Sequence, residues 1–238
     1  MKRQLSLILI GLSLIGAWSP AYSLTVDEAI TRSVENYAKV QDYTCLMHRK
    51  ERIGKRLKEQ NNIQMRFMKP LCVYFKWTEG EFAGCESIFV KGRYGDKLKF
   101  HKAGLGRFIK LSLNPKGHLA MRNNRHSIDE SGVGHIIDLI VENYQRSRER
   151  KEGTVTLQGE GVLDGRKTFV YQADFPEGKG YYGGVIHIYM DAELILPVKI
   201  EVYDWNGELL EMYHFAQLKI NPGLTEKDFD VKNPAYRF

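Results

Sequence analysis

The 238-residue sequence lacks the short motifs that mark many enzymes. It has no serine in a G-x-S-x-G turn, no H-E-x-x-H zinc motif and no glycine-rich phosphate loop. Acid–base pairs are often assembled from distant positions, so an enzyme stays the least favoured of three functional hypotheses. We predict no catalytic residues and no cofactor.

Long apolar runs are scarce, and one of them stands near the start of the chain. LSLILIGLSLIG follows Lys2 and Arg3, is short for a membrane span, and leads to the small residues Ala21 and Ser23. This pattern predicts a signal peptide over residues 1–23, cleaved after Ser23, and a periplasmic protein. An uncleaved membrane anchor is the alternative.

The charge is also not concentrated in clusters of one sign. Thirty-five Lys and Arg are interspersed with 29 Asp and Glu, which leaves a formal net charge of +6. Nucleic-acid-binding proteins usually cluster their basic residues, so we predict no nucleic-acid partner. The mild excess favours transient contact with an anionic membrane surface.

The chain has no internal repeat, no low-complexity tract and no proline-rich linker. Residues 24–238 are therefore predicted to form a single domain, which we expect to be a monomer.

Cysteines are few: Cys45, Cys72 and Cys85, with no C-x-x-C pair of the kind found in redox and zinc sites. Export permits disulfides. If CVYFKW and CESIFV form a hairpin with a tight turn, Cys72 and Cys85 share a sheet face, and we predict a disulfide between them. A wider turn would offset them by several residues, beyond disulfide reach.

Two stretches have the apolar spacing of amphipathic helices. Each begins with a residue spaced for a capping box, Thr25 with Glu28 and Ser127 with Glu130. The predicted apolar stripes are Val26, Ile30, Val34, Tyr37 and Val40 in the first helix, and Val133, Ile136, Ile137, Ile140 and Tyr144 in the second.

Most of the remaining sequence alternates with a period of two, which is typical of strands. We count about ten strands, in two groups separated by the second helix. The Asn206-Gly207 dipeptide is the clearest hairpin signal. Predicted strand faces include Met65 and Phe67; Val73, Phe75 and Trp77; Phe169, Tyr171 and Ala173; and Val198, Ile200 and Val202.

Some strands, such as VIHIYM and EMYHFAQL, are apolar on both faces, so both faces must be at least partly covered. Two helices suffice to cover one face of a sheet this large only if the sheet is strongly curved. We therefore predict an α+β fold in which an unclosed antiparallel β-barrel, a half-barrel, has helices covering its concave face.

Four stretches also carry a family resemblance: YTCLMHRKERIGKRL, MKPLCVYFKW, GHLAMRNNRHSIDESGVG and GLTEKDFDVKNPAYRF. They resemble the bacterial family called domain of unknown function 1571. That family is similar to the periplasmic lipoprotein-carrier fold of LolA-like carriers, mycobacterial lipid-binding lipoproteins and the sensor domain of RseB-like regulators. The resemblance implies an unclosed barrel with helices plugging an apolar mouth, and it implies no catalytic residue.

The stretch GHLAMRNNRHS concentrates polar side chains between a strand and a helix. Arg122 and Arg125 are predicted to meet an anionic headgroup, since arginine binds phosphate or carboxylate in bidentate fashion. Alternatively, they form a latch on the lid helix, or they are simply solvated. His118, His126 and His135 match no metal-binding spacing, and a helix would put the last two on different sides, so no metal site is predicted.

Aromatic residues of the predicted strands are candidates for lining an apolar cavity, although filling a core is the commoner role for such residues. The candidates are Phe67, Phe75, Trp77, Phe89 and Phe100.

The sequence therefore favours a periplasmic binding protein that carries or senses an apolar ligand, a lipid or the acyl chain of a lipidated protein. The second hypothesis is an envelope sensor or adaptor that binds a protein partner through the same fold.

Overall fold

The computed structural model describes residues 24–104, 108–236 and 238, so the predicted signal peptide lies outside the described residues. Within these residues, three α-helices accompany eleven strands, against about ten predicted. None of these helices is long and apolar enough to span a membrane. In chain order the elements are α1 (Val26–Lys39), β1 (Asp42–Ile53), β2 (Arg56–Met68), β3 (Cys72–Trp77), β4 (Glu86–Val90), β5 (Leu98–His101), β6 (Lys110–Leu113), α2 (His118–Met121), α3 (Val133–Arg150), β7 (Thr154–Leu163), β8 (Arg166–Asp174), β9 (Val185–Asp191), β10 (Pro197–Tyr203) and β11 (Leu209–Ile220).

All eleven strands form one antiparallel sheet, in the order β6-β5-β4-β3-β2-β1-β11-β10-β9-β8-β7. The pairing of β1 with β11 joins the two groups of strands at the centre of the sheet. Strands β6 and β7 stand at opposite edges and do not pair with each other in the described chain. The sheet is therefore an unclosed antiparallel half-barrel, and the predicted fold class is confirmed.

Helix α1 begins at the predicted capping box. Thr25 Oγ1 accepts a hydrogen bond from the Glu28 amide at 3.3 Å, and Glu28 Oε2 accepts one from the Thr25 amide at 2.9 Å. Such a cap stabilises a helix by about 1 kcal/mol. The buried face is centred on Ala29 and Ser33, whereas Val34 is 45% exposed, so the placement of Val34 in the core stripe was wrong.

Helix α3 begins six residues later than the sequence predicts. The residues after Ser127 form only a short 3-10 helix, Ile128–Glu130, and the Ser127 side chain makes no capping bond. Gly132 then adopts φ +103°, which no α-helix contains, so the chain turns before Val133. The Val133 amide donates to the Tyr43 hydroxyl at 3.0 Å, so a tyrosine of β1 takes the place of the predicted cap.

Helix α3 packs its apolar stripe on the concave face of the sheet. Apart from Val198, the residues of the predicted strand faces point the same way, because their side chains form one buried core with this helix. Gly134 lets α3 approach α1 closely, since a Cβ there would lie 2.4 Å from the Tyr37 hydroxyl. From α3 the core contains Val133, Ile136, Ile137, Leu139 and Ile140.

The convex face of β3 and β4 is covered by the end of the chain. Phe229 and Tyr236 pack there against a separate apolar cluster of Cys72, Tyr74, Ile88 and Val90. Arg66 donates to the Tyr236 hydroxyl at 2.5 Å and lies 3.4 Å from Asp228, which ties this tail to β2. The tail thus accounts for the burial of β3 and β4 on both faces without an α-helix on the second face.

The predicted Cys72–Cys85 disulfide is wrong, because all three cysteines are free and buried. Cys72 pairs with Val90 at one end of the β3–β4 hairpin. Cys85 lies at the other end, where its carbonyl accepts from the Trp77 amide at 3.1 Å. Five residues of strand separate these ends, roughly 16 Å at about 3.3 Å per residue. Cystine Cα atoms lie no more than about 7 Å apart, so the wider-turn alternative holds.

Candidate functional site

A cavity of about 550 Å³ opens between one end of the half-barrel and the segment that crosses it. We call residues 114–131 the cover segment. The volume falls within the range of about 300–1,000 Å³ that is usual for small-molecule sites. From the sheet, the cavity is lined by Arg49, Gln60, Phe75, Trp77, Cys85, Ser87, Leu98, Phe100, Lys102, Leu111 and Leu113, with Glu81 and Phe82 from the β3–β4 connection. From the cover segment, it is lined by Pro115, Leu119, Ala120, Arg122, Asn123, Asn124, His126, Ser127, Ile128 and Ser131.

Strand register determines which aromatic residues reach the cavity. Phe75 pairs with Ser87, Ser87 with Phe100 and Phe100 with Leu111, and all four residues line the cavity. Side chains directly opposite each other in a sheet project from the same face. This row, with Trp77 beside it, is the apolar wall of the cavity.

Two of the predicted aromatic residues lie elsewhere. Phe67 and Phe89 both pair with Val73, in a row two residues further along the strands. Phe67 stacks on Tyr43 with the ring centroids 4.8 Å apart, and Phe89 is buried without lining the cavity. Neither residue therefore lines this cavity, because two residues of register carry both side chains into the buried core.

The two predicted arginines have different environments. Arg122 is exposed, lines the cavity, and makes no hydrogen bond or ion pair with the described residues. Arg125 does not line the cavity. Its guanidinium donates to Glu211 at 3.1 Å and to the Arg52 carbonyl at 3.3 Å. The position of Arg122 thus suits the headgroup hypothesis. Arg125 instead resembles the predicted latch, but its hydrogen bonds go to the sheet and not to the lid helix.

The asparagines of the same stretch tie the cover segment to the sheet. Arg49 donates to Asn124 Oδ1 at 2.8 Å and to Gln60 Oε1 at 2.7 Å. Trp77 Nε1 donates to the same Gln60 oxygen at 3.0 Å. Lys58 donates to Asn123 Oδ1 at 2.5 Å. These polar contacts form one rim of the cavity.

A buried carboxylate lies behind this rim. We call Arg125, His126, Tyr182 and Glu211 the Glu211 cluster. Glu211 is 1% exposed and accepts hydrogen bonds from Arg125 at 3.1 Å, His126 Nε2 at 2.9 Å and the Tyr182 hydroxyl at 2.7 Å. A second buried carboxylate, Glu51, accepts from the Tyr213 hydroxyl and lies 3.6 Å from Arg49.

The groups of the Glu211 cluster shift each other's pKa values. Burial alone would raise the pKa of Glu211, but the hydrogen bonds from His126 and Tyr182 and the charge of Arg125 outweigh it and lower that pKa. Burial alone would lower the pKa of His126, but Glu211 and Glu130 outweigh it and raise that pKa. Both shifts favour an ionised pair beneath the cover segment.

The structure also brings together two histidines that sequence spacing separated. The turn at Gly132 directs the start of α3 back toward the cover segment, and the ring centroids of His126 and His135 are 5.0 Å apart. Glu130 lies between them, 3.3 Å from His126 Nδ1. The prediction that the two histidines face different sides was wrong, because it assumed one continuous helix. His118 is exposed on α2, outside this group.

Sequence reasoning missed Glu211 and Tyr182. Glu211 is the one carboxylate inside the otherwise apolar stretch of β11, LLEMYHF. A charged residue in such a stretch is buried only when it is paired, and this was the available signal.

Known structures share the fold at low sequence identity. The lipoprotein LppX of Mycobacterium tuberculosis is 12% identical, with a TM-score of 0.50 over 85% of this chain and 96% of LppX. MucB is 14% identical, with a TM-score of 0.51 over 86% of this chain and 62% of MucB. MucB in the Pseudomonas aeruginosa MucA/MucB complex is 17% identical, with a TM-score of 0.48 over 85% of this chain and 59% of that one.

Among curated proteins, none matches the chain in sequence. LppX is a mycobacterial lipoprotein, one of the classes that the sequence resemblance implied for this fold. The profile of the family described as "Protein of unknown function (DUF1571)" matches residues 40–238. Since this range is most of the chain, the resemblance is confirmed, and the protein belongs to the DUF1571 family.

Proposed function

We propose that the protein is a periplasmic binding protein that holds an apolar ligand, a lipid or the acyl chain of a lipidated protein, in the cavity under the cover segment. The observation that carries this proposal is the cavity of about 550 Å³ with an aromatic and leucine wall and a polar rim. A polar rim around an apolar interior suits a molecule with a hydrocarbon tail and a polar head. Residues 1–23 would direct export.

The driving force is the removal of hydrocarbon from water. Each methylene buried contributes about 0.8 kcal/mol, so part of an acyl chain is enough for useful affinity. At the rim of the cavity the cover segment is held by polar contacts such as Arg49–Asn124, at 2.8 Å. Water can replace these contacts when the segment moves, so loading and release remain accessible.

An adaptor for a protein partner is the second candidate. MucB, which has the same fold, has been determined in complex with MucA. Two apolar side chains are strongly exposed, Phe108 at 80% and Leu119, which lines the cavity, at 67%. An adaptor would use such a surface. When purified from the envelope, it would be bound to its partner and would carry no lipid.

The first test is the identity of co-purified molecules and their loss on filling the cavity. We expect native protein from the envelope to release a reproducible lipid into organic solvent, detected by mass spectrometry. Ser87 is buried in the cavity wall, and its hydroxyl has no hydrogen-bond partner in the described chain. Ser87→Leu should therefore weaken binding of a fluorescent lipid probe more than about tenfold while stabilising the fold by about 0.5–2 kcal/mol.

Ser112→Leu is the matched control, because it makes the same change on the exposed face of β6. It should leave probe binding unchanged. A wild-type protein that carries no lipid and binds no probe would refute the proposal, as would a Ser87→Leu variant that binds as well as wild type.

The second test separates the two arginines. Arg122→Ala should weaken the binding of an anionic lipid probe by about three- to tenfold, because a charge-assisted hydrogen bond is lost. The binding of an uncharged probe should not change. Arg56→Ala, on an exposed hairpin, is the control. Arg125→Ala should instead change the rate of probe exchange, since Arg125 holds the sheet and not the ligand. If Arg122→Ala binds the anionic probe as tightly as wild type does, this residue returns to the solvated interpretation.

A further inference from the structure

A second, smaller cavity lies beside the first, where the cover segment meets α3. It has a volume of about 20 Å³, and its lining includes His126, Glu130 and His135. One donor atom from each of these three residues lies within 4.8 Å of the other two. A volume of about 10–15 Å³ holds one water molecule, so this space also suits a single ion. Glu130 and His135 do not line the cavity proposed for the lipid.

We propose that His126, Glu130 and His135 bind a divalent transition-metal ion, with Zn²⁺ as the best match. Two imidazoles and one carboxylate are a usual Zn²⁺ ligand set, and three protein ligands leave a fourth position for water or another ligand. The wall of the small cavity also includes the polar residues Arg49, Glu51 and Ser131 beside apolar side chains.

The spacing of the donors fits such an ion. Metal–ligand bonds of about 2.0–2.2 Å place neighbouring ligand atoms of a tetrahedral site about 3.3 Å apart. His126 Nδ1 and Glu130 Oε2 are already 3.3 Å apart. To complete a tetrahedral site, the ligand atom of His135 needs to approach by at most about 1.5 Å. Glu130 presents its other oxygen, Oε1, to Lys116 at 3.5 Å and so keeps Oε2 for the ion.

The surroundings orient the ligands. His126 Nε2 is 2.9 Å from the buried Glu211 carboxylate, which holds a proton on that nitrogen, so Nδ1, which faces Glu130, is the nitrogen that would give up its proton to bind the ion. Histidine ligands of metals usually donate their other nitrogen to a carboxylate in this way. His135 Nε2 is buried and has no hydrogen-bond partner among the described residues, so a ring nitrogen of His135 is not engaged elsewhere.

A metal here would join two parts of the chain. His126 and Glu130 stand on the cover segment, and His135 stands in the first turn of α3, beyond the break at Gly132. His126 also lines the large cavity. The ion would therefore hold the cover segment on α3 at the edge of the lipid cavity.

The test is a metal titration of tag-free full-length protein after treatment with a chelator. We expect one Zn²⁺ per chain by calorimetry, and Co²⁺ should give the visible absorption of a tetrahedral site. Glu130→Gln and His135→Asn should each lower the affinity for Zn²⁺ at least about tenfold, because each removes one ligand. His118→Ala is the matched control and should bind as wild type does.

Glu130→Gln keeps the shape of a side chain at the surface, so at least one variant is expected to fold. Wild-type protein that binds no stoichiometric Zn²⁺ would overturn the proposal. It would also be overturned if Glu130→Gln and His135→Asn bound as tightly as wild type. Lipid extraction requires no added metal, so the two proposals fail independently.

Discussion

Gly132→Ala is expected to destabilise the protein by about 2–5 kcal/mol. The Cβ atom would lie 2.2 Å from the Tyr43 hydroxyl, and overpacking of this kind costs about 1–3 kcal/mol. The backbone φ of +103° adds about 1–2 kcal/mol for a residue with a side chain. Tyr43 cannot move away without losing its 3.0 Å bond to the Val133 amide, which starts α3. Urea unfolding measures the loss.

Gly54→Ala is the control for backbone conformation alone. Gly54 also has a positive φ, +59°, but an added Cβ meets no atom within 4 Å. Gly54→Ala should lower the free energy of unfolding by only about 1 kcal/mol. The double variant Tyr43→Phe/Gly132→Ala removes the clashing oxygen. Its loss in free energy of unfolding should therefore be smaller than the sum of the losses in the two single variants. Equal losses in Gly132→Ala and Gly54→Ala would show that the contact with Tyr43 does not matter.

Glu211→Gln is expected to lower the free energy of unfolding by about 3 kcal/mol or more near pH 6. The amide keeps the shape of the side chain but leaves Arg125 and protonated His126 beside a neutral group in the protein interior. Removing one partner of a buried charge pair costs about 3–5 kcal/mol, and the partial exposure of Arg125 favours the lower end. Thermal and urea unfolding give the difference in free energy.

Glu208→Gln is the matched control, since Glu208 pairs with Arg52 at 3.5 Å but is 60% exposed. Exposed pairs contribute less than about 1 kcal/mol. Similar losses in the two variants would mean that burial of Glu211 is not what makes its charge important.

The same cluster sets a pH dependence of stability. The pKa of His126 is raised from 6.5, so its contribution is complete below pH 6.5 and is lost as the pH rises through the folded value. The pKa of Glu211 is lowered from 4.5, so its contribution is complete above pH 4.5 and is lost as the pH falls through the folded value. Glu130 and Glu51 also face His126 and help to raise its pKa, whereas burial and the charge of His126 lower the pKa of His135, so the contribution of His135 partly offsets that of His126 as the pH falls below 6.5.

The free energy of unfolding should therefore be largest between pH 4.5 and 6.5 and should decline on both sides. In Glu211→Gln both declines should become shallower. A wild-type profile that rises steadily from pH 6.5 to 8 would contradict the raised pKa of His126.

Local sequence determined the elements and their faces. The capping box of Thr25 and Glu28, the hairpin at Asn206-Gly207 and the alternation in β2, β3, β8 and β10 all lie within a few residues of what they specify. Two-sided apolar strands were enough to predict a curved, covered sheet. These features follow from backbone geometry and from burial, which act over short stretches of chain.

Only the tertiary structure decided which of the predicted residues meet. Phe75 and Phe100 line the cavity while Phe67 and Phe89 do not, because strand register places the second pair two residues further along. His126 and His135 approach each other because the chain turns at Gly132, and Cys72 and Cys85 stay apart because their turn is wide. Register and chain reversal depend on the pairing of distant segments, and the free energy of that pairing is a property of the whole sheet rather than of any one stretch.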